Sequence, residues 1–239
     1  MRLIPTFIYN YWRKLFGSYE VDDPRPIAAK APYTYYLPPN DHIEKLSVGD
    51  LVKLSFISKP AGLYYNTERM WVKIKSLQNN LITGVLDNEP LDMPQLSHGD
   101  EIQFDGFNII DIQWTDAENR TELKDLSKVK EKQRWDRCFV DDCVLYEGIR
   151  VQYIYREEPY MTGDNDKYPD SGWRIRGDVY EMTDEQYENG KGSYVALGAV
   201  LNKDDSWIHL IDAPFKTAFL KNDETGQFEP TEFTAESEP

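Results

Sequence analysis

The chain is poor in the residue types on which metal sites and nucleophilic enzymes depend. It has two cysteines, Cys138 and Cys143, and three histidines in 239 residues. Two cysteines are too few for a disulfide framework, and these two lack the CxxC pairing of a structural zinc site. We therefore expect both to be buried thiols.

Sequence motifs of catalysis are missing as well. There is no GxSxG elbow, HExxH motif, Walker loop or dinucleotide fingerprint. His42 and His98 lie in polar turns, and His209 alternates within WIHLI, which we interpret as a strand. These absences favour a binding protein without cofactor or metal over an enzyme.

Positive charge is scarce, since 27 Lys and Arg residues face 42 Asp and Glu residues and give a net charge of -15. Such a field repels phosphate backbones, so nucleic acid is an unfavourable ligand. The acidity suits capture of a basic protein partner, and it is equally typical of a highly soluble protein.

The chain has no apolar run long enough to span a membrane. In the N-terminal MRLIPTFIYNYWRKLFG, Arg13 and Lys14 interrupt the apolar residues, and no small-residue cleavage site follows. We expect a cytoplasmic protein whose N-terminal helix docks on its own core. An amphipathic helix lying on a membrane surface is the alternative, because Trp12, Leu15 and Phe16 accompany the basic residues.

Composition divides the chain into five segments and predicts an α+β fold. Two small, mostly antiparallel β modules with short helices are expected at 45–114 and 135–221, joined by a charged linker helix at 115–134. An N-terminal helix and a proline-rich leader that stays outside the core occupy 1–44, and an acidic tail expected to be disordered occupies 222–239. A sheet edge in the first module would allow a homodimer without requiring one.

Local patterns predict individual elements within these modules. In DLVKLSFI, the alternation places Val52, Leu54 and Phe56 on a buried face. TDEQYENG is typical of a short helix with a capping box between Thr183 and Gln186. SYVALGAVLNK is interpreted as a second helix, capped by Ser193.

The stretch from Tyr155 to Asp178, YREEPYMTGDNDKYPDSGWRIRGD, holds six carboxylates and four basic groups in twenty-four residues. A calcium loop fails because Pro169 stands where the sharp turn needs glycine and Ile175 where a bidentate glutamate belongs. The adjacent Glu157 and Glu158 point to opposite faces of a strand, so they do not flank one glycosidic bond. One of them would pair with a nearby arginine while the other is solvated.

Several ordered motifs resemble known families. CFVDD, VQYIYREEP, DSGWRIRGD and WIHLIDAPFKTAF, between Cys138 and Lys221, resemble the bacterial domain of unknown function 2185, grouped with the immunity proteins of polymorphic toxin systems as family thirty-three. GDLVKLSF, ERMWVKI, ITGVLDNEP, HGDEIQF and IIDIQW, between Val48 and Trp114, resemble the domain of unknown function 2314. The second family has no activity to carry over.

The first resemblance implies a non-catalytic antidote that binds and neutralises a bacterial toxin delivered by a neighbouring cell. An acidic surface would speed capture of a basic toxin, and aromatic residues would anchor it. A general binding or scaffold module for peptides or cell-envelope fragments is the alternative. The candidate toxin-contacting residues all lie in the stretch described above: Glu157, Glu158, Tyr160, Asp164, Asp166, Tyr168, Asp170 and Trp173.

Overall fold

The computed structural model describes residues 5–78, 81–115, 133–163, 166–188 and 190–233. The chain forms two compact units. The first unit comprises Met1–Ala29 and Tyr36–Lys130, and the second comprises Lys30–Tyr35 and Glu131–Pro239. Most of the expected charged linker helix, residues 116–132, lies outside the described residues. The division of the chain into domains at residues 45–114 and 135–221 stays a prediction.

The described residues of the first unit form an antiparallel sheet with short helices. Its strands follow the order β1-β2-β3-β4-β5, and β6 pairs with the start of β2. The helices are α1 (Thr6–Phe16), α2 (Arg25–Lys30) and α3 (Asn40–Ile43), and the strands are β1 (Ser18–Val21), β2 (Leu51–Lys59), β3 (Thr67–Gln78), β4 (Leu81–Leu86), β5 (Glu101–Asp105) and β6 (Asp111–Gln113).

The core of the first unit follows the alternation in β2. Val52, Leu54 and Phe56 are fully buried, which confirms the face predicted for them. Cross-strand neighbours extend the same face, because Met70 lies opposite Leu54 and Val72 opposite Val52.

Helix α1 exists as expected, but its orientation is unusual. Arg13 is its buried residue, and the Arg13 guanidinium forms an ion pair with Asp92 at 2.7 Å. The apolar residues of the helix point away from this pair. Among the described residues, no helix is both long enough and apolar enough to cross a membrane.

The second unit is a six-stranded sheet in the order β10-β7-β9-β8-β11-β12. Strands β7 and β9 run parallel and the other neighbours antiparallel. Both sheets with their short helices give the α+β class that the sequence predicts. The elements are β7 (Arg137–Asp141), a helical turn at Cys143–Glu147, β8 (Val151–Arg156), β9 (Asp170–Gly177), α4 (Asp184–Glu188), β10 (Gly192–Ala196), α5 (Leu197–Leu201), a 3-10 turn at Ile208–Leu210, β11 (Thr217–Lys221) and β12 (Phe228–Thr231).

Three local predictions for the second unit are wrong. WIHLI forms a 3-10 turn, because Trp207 is buried against the core while His209 stays exposed. Ser193 lies inside β10 instead of capping a helix, since its strand pairs with β7 before α5 begins. The segment after Asn222 is not disordered at residues 228–231, because β12 completes the sheet and buries Phe228.

Other predictions for the second unit are confirmed. The capping box of α4 is present, with the Thr183 N–H donating to Gln186 Oε1 at 2.8 Å and the Gln186 N–H donating to Thr183 Oγ1 at 3.3 Å. Cys138 and Cys143 are free, buried thiols.

Part of the proline-rich leader packs on the second unit, so the expectation that the leader stays outside the core is wrong there. Tyr33 contacts the hydrophobic core. Its N–H donates to Asn202 Oδ1 at 3.0 Å, and its hydroxyl donates to Asp205 at 2.8 Å. The side chain of Asn202 also donates to Thr34 Oγ1. The polar turn after α5 therefore holds this segment of the leader.

Candidate partner-binding face of the second unit

One row of cross-strand neighbours defines the face of the second sheet that points away from the core. Tyr194 lies opposite Phe139, Phe139 opposite Arg174, Arg174 opposite Tyr155, and Tyr155 opposite Ala218. Cross-strand neighbours project to the same side of a sheet. We call this side, which carries charged and aromatic residues, the outer face.

Arg174 is the centre of a buried cluster on the outer face. Its guanidinium forms two parallel hydrogen bonds with the Asp170 carboxylate, at 2.9 and 2.8 Å, and a further ion pair with Glu157. The ring of Tyr160 covers the guanidinium at 4.9 Å from the ring centroid. A two-pronged Arg–carboxylate contact fixes geometry as well as charge.

Asp170 also fastens the segment that connects β8 to β9, residues 157–169, which we call the cover loop. The Met161 N–H donates to Asp170 Oδ2 at 3.3 Å, and the Asp170 N–H donates to Thr162 Oγ1 at 2.8 Å. The Gly172 N–H supplies another bond to Asp170 at 2.9 Å. Backbone and side-chain bonds thus hold the cover loop over Arg174.

The electrostatics of this cluster favour the ionised carboxylate. Burial by itself would raise the pKa of Asp170, but hydrogen bonds from Arg174 and from the Gly172 and Met161 backbones, with the Arg174 charge, bring that pKa below its usual value. Both charges are therefore present at neutral pH. A buried pair of this kind is costly to break from one side.

The structure divides the candidate contact residues into buried and accessible ones. Trp173 is fully buried in the core, where its indole N–H donates to the Ile211 carbonyl at 3.1 Å. Asp170 is buried, and Glu157 is bound to Arg174. Burial of Trp173 and Asp170 and the ion pair of Glu157 with Arg174 remove these three residues from the candidate contact surface.

The remaining candidates lie in the outer part of the cover loop. Glu158, Tyr160 and Asp166 are exposed, and Tyr168 is half-buried against Trp135 with 5.8 Å between ring centroids. Asp164 lies outside the described residues. The accessible positions are thus two carboxylates and two tyrosines carried on a fastened loop.

The geometry of this stretch bears on the two rejected alternatives, a glycosidase-type carboxylate pair and a calcium loop. Glu157 pairs with Arg174 while Glu158 is exposed, as expected if the two do not act together. Both carboxylate oxygens of Asp170, a candidate ligand of the calcium loop, accept hydrogen bonds from Arg174. Within the described part of the chain, no group of three or more His, Cys, Asp or Glu side chains is arranged to hold a metal ion.

A cleft of about 1180 Å³ at the other end of the outer face was missed by the sequence reasoning. Arg176 binds Asp141 at 2.9 Å in its wall, and Tyr153 lies beside Arg176 in the sheet. Two strongly exposed tyrosines, Tyr180 and Tyr187, also line it. Aromatic residues in polar turns are the sequence feature that could have indicated this cleft, because exposed aromatic side chains are enriched in interfaces.

The environment of the thiol in the wall of this cleft disfavours its ionised form. Cys143 is buried, and burial followed by the nearby charge of Asp141 raises its pKa. Burial also raises the pKa of Cys138. Since the thiolate is the nucleophilic form, both thiols are poor nucleophiles at neutral pH.

Two family models match parts of the chain, and one of them covers the sheet that carries the outer face. Residues 138–232 match the model described as the immunity protein Imm33 domain. The C-terminal half resembles Imm33. The family number 2185 given in the sequence analysis is incorrect, whereas the family itself is matched. The match extends through β12, beyond the expected end at Lys221.

The other match covers residues 39–155 and is described as an uncharacterized protein conserved in bacteria, DUF2314. It reaches past Trp114 and overlaps the Imm33 match at residues 138–155, which contain most of β7 and most of β8. No curated protein and no solved structure matches the chain.

Proposed function

We propose that this protein is an immunity protein that binds a cognate bacterial toxin directly and neutralises it without catalysis. The observation that carries the proposal is the Imm33 match, because it covers the sheet that bears the cover loop and the cleft. A family described as immunity proteins favours a binding role. We infer that the protein acts in the cytoplasm, against a toxin that has entered the cell.

The cover loop supplies a preorganised contact surface. Its base is fixed by the Asp170–Arg174–Glu157 cluster, while Glu158, Tyr160 and Asp166 remain accessible. A loop that is already held in one conformation loses less entropy when it binds. Tyr160 would add apolar contact area, and the carboxylates would select a basic surface.

Net charge supports a basic toxin. A chain with a net charge of -15 attracts a cationic protein over several ångströms, which raises the association rate more than it lowers the dissociation rate. The cleft offers a second contact, since Tyr180 and Tyr187 at its rim are exposed. A toxin held at both ends of the outer face would be inhibited sterically, because the bound chain would cover part of the toxin surface.

The test is capture followed by rescue. The tagged full chain is incubated with lysate of its own host at low salt and at about 0.5 M salt, where long-range attraction is screened. Captured proteins are then expressed with and without this chain. We expect a protein that stops growth alone and permits growth with the chain. Capture without rescue, or rescue by an unrelated acidic protein, would contradict the proposal.

A matched pair of variants locates the contact. Glu158→Lys with Asp166→Lys reverses two exposed charges of the cover loop, and Glu44→Lys with Glu89→Lys makes the same charge change at exposed positions of the first unit. We expect only the first pair to abolish rescue. Equal loss from both pairs would assign the effect to net charge instead of the cover loop.

A further inference from the structure

Helix α1 is attached to the first unit by its polar side. The Tyr9 hydroxyl donates to the Ala61 carbonyl at 3.1 Å, and Arg13 donates to Asn10 and Asp92 at 3.1 and 2.7 Å. Burial alone would raise the pKa of Asp92, but hydrogen bonds from the Tyr64 backbone, Arg13 and the Tyr65 backbone lower it. A buried ion pair thus fixes which side of the helix faces inward.

The opposite side of α1 is a continuous apolar surface, which we call the outer stripe. Its members are three pairs of adjacent residues. The pairs are spaced four positions apart, so all six residues lie on one face of the helix. They are 46 to 73% exposed, and they are Phe7, Ile8, Tyr11, Trp12, Leu15 and Phe16.

Ring contacts join part of the outer stripe, and hydrogen bonds anchor the helix beneath it. Trp12 lies between Tyr9 and Phe16, with ring centroids 6.5 and 6.1 Å away. Asp92, beneath the helix, also accepts hydrogen bonds from the Tyr64 and Tyr65 backbones, so the ion pair that orients the helix is tied to the neighbouring loop. Large apolar side chains are therefore displayed together and held in position.

The exposed area is too large for an ordinary surface. From the exposed fractions, the six residues present roughly 700 Å², taking about 200 Å² for a large apolar side chain. The largest apolar patch of a typical monomer covers about 300–600 Å². A standard protein interface buries about 800 Å² on each partner, which is close to the area that the outer stripe presents.

Charge identifies the partner. Helix α1 contains no Asp or Glu, and Lys14 is the exposed cation beside the stripe. A basic toxin gains nothing here, and two acidic chains repel each other least where neither presents a carboxylate. A two-fold axis would place the same stripe on both sides of one interface. We propose that a second copy of this chain docks on the outer stripe, so that the protein is a homodimer through α1.

The mass of the full chain in solution tests the proposal. Sedimentation equilibrium from about 1 to 100 μM detects a dimer with a micromolar dissociation constant, and a tighter dimer stays dimeric over the whole range. We expect twice the chain mass of 27.9 kDa for the unmodified protein. Trp12→Glu with Leu15→Glu should give the monomer mass. Lys14→Glu makes the same change of two charges beside the stripe and should remain dimeric.

A second measurement does not depend on a destabilised interface. Tyr11→Cys places a reactive thiol on the stripe, and Tyr180→Cys places one on an exposed position of the second unit, while both native thiols are buried. A short bis-maleimide should join two chains through residue 11 and not through residue 180. Folding of every variant is checked by circular dichroism.

Three results would overturn the dimer. They are a monomeric mass over the whole concentration range, equal dissociation of the Lys14→Glu and double-glutamate variants, and a dimer that the double-glutamate variant leaves intact. A monomer that floats with phosphatidylcholine vesicles and loses this property in the double variant would assign the stripe to a membrane surface instead. None of these results bears on toxin rescue, so the two proposals fail separately.

Discussion

At the scale of single residues, the alternation in β9 separates structural from exposed chemistry. Trp173 and Ile175 point into the core, while Arg174 and Arg176 point to the outer face. The same alternation was readable in SGWRIRG once that stretch was interpreted as a strand. The burial of Arg174 was not readable, because it depends on a loop that folds back from β8.

Removing the carboxylate of Asp170 tests the buried cluster. Asp170→Asn leaves the Arg174 charge without its principal partner, so we expect the free energy of unfolding of the second unit to fall by about 3–5 kcal/mol. Urea titration of the full chain measures this change. Asp166→Asn, at an exposed position, should cost about 0.5 kcal/mol or less. Similar values for both variants would show that the cluster does not hold the fold.

The same carboxylate predicts a pH dependence. Its pKa in the folded chain lies below that in the unfolded chain, about 3.9, so its stabilisation is complete above that value and is lost as pH falls through the folded pKa. Between about pH 4 and pH 2, the unmodified protein should therefore lose more stability than Asp170→Asn. Unfolding free energies of both proteins at several pH values check this, and parallel curves would contradict it.

At the scale of elements, the sheet of the second unit is completed by segments that composition assigned elsewhere. The acidic composition after Asn222 predicted disorder, but Phe228 is buried and β12 pairs with β11. Likewise, prolines predicted an undocked leader, but Tyr33 reaches the core of the second unit. Composition reports average solvation, whereas one large apolar residue at the right position is enough to dock a short segment.

Strand β12 gives the first prediction at this scale. Phe228→Ala removes a buried ring and should destabilise the second unit by about 3 kcal/mol. Glu232→Ala, at an exposed position just after the strand, is the control and should change stability by about 0.5 kcal/mol or less. Thermal unfolding of the full chain distinguishes them. An unchanged midpoint for Phe228→Ala would show that β12 contributes nothing to the core.

Helix α5 gives the second prediction at the scale of elements. Alanine normally stabilises a helix by about 1 kcal/mol over glycine. At Gly198, however, an added Cβ would lie 2.4 Å from the Tyr33 carbonyl oxygen and 2.8 Å from that of Arg134. We expect Gly198→Ala to destabilise by about 1–3 kcal/mol and to increase hydrogen exchange at residues 33–35. Lys203→Ala, at an exposed position after the helix, should do neither. A stabilised Gly198→Ala protein would contradict the docking of the leader.

Much of the fold could be predicted from local patterns, and less of the candidate site could. Strand alternation in DLVKLSFI and the capping box at Thr183 depend on neighbouring residues alone, and both are confirmed. The site depends on pairings between distant residues. Asp141 meets Arg176 across thirty-five positions, and no local signal separates such a pair from solvated charges. Exposed and buried carboxylates of one loop look alike in the sequence.

At the scale of the whole molecule, the outer stripe and the candidate toxin-binding residues belong to different units of the chain. The net charge of -15 would attract a basic toxin, and the candidate contact residues lie in the second unit, whereas α1 has no carboxylate and displays apolar side chains. A dimer through α1 would present two Imm33-like regions to two toxins. The protein would then combine one surface for self-association with another for capture.

The most direct test of toxin binding through the cover loop is the association rate constant between the full chain and the toxin it rescues. The rate is measured by stopped flow from low to about 0.5 M salt, for the unmodified chain and for Glu158→Lys with Asp166→Lys. We expect the variant to associate at least about tenfold more slowly at low salt and with a weaker salt dependence. Unchanged rates with full rescue would contradict a contact at the cover loop, and the absence of any rescued toxin would contradict the immunity function itself.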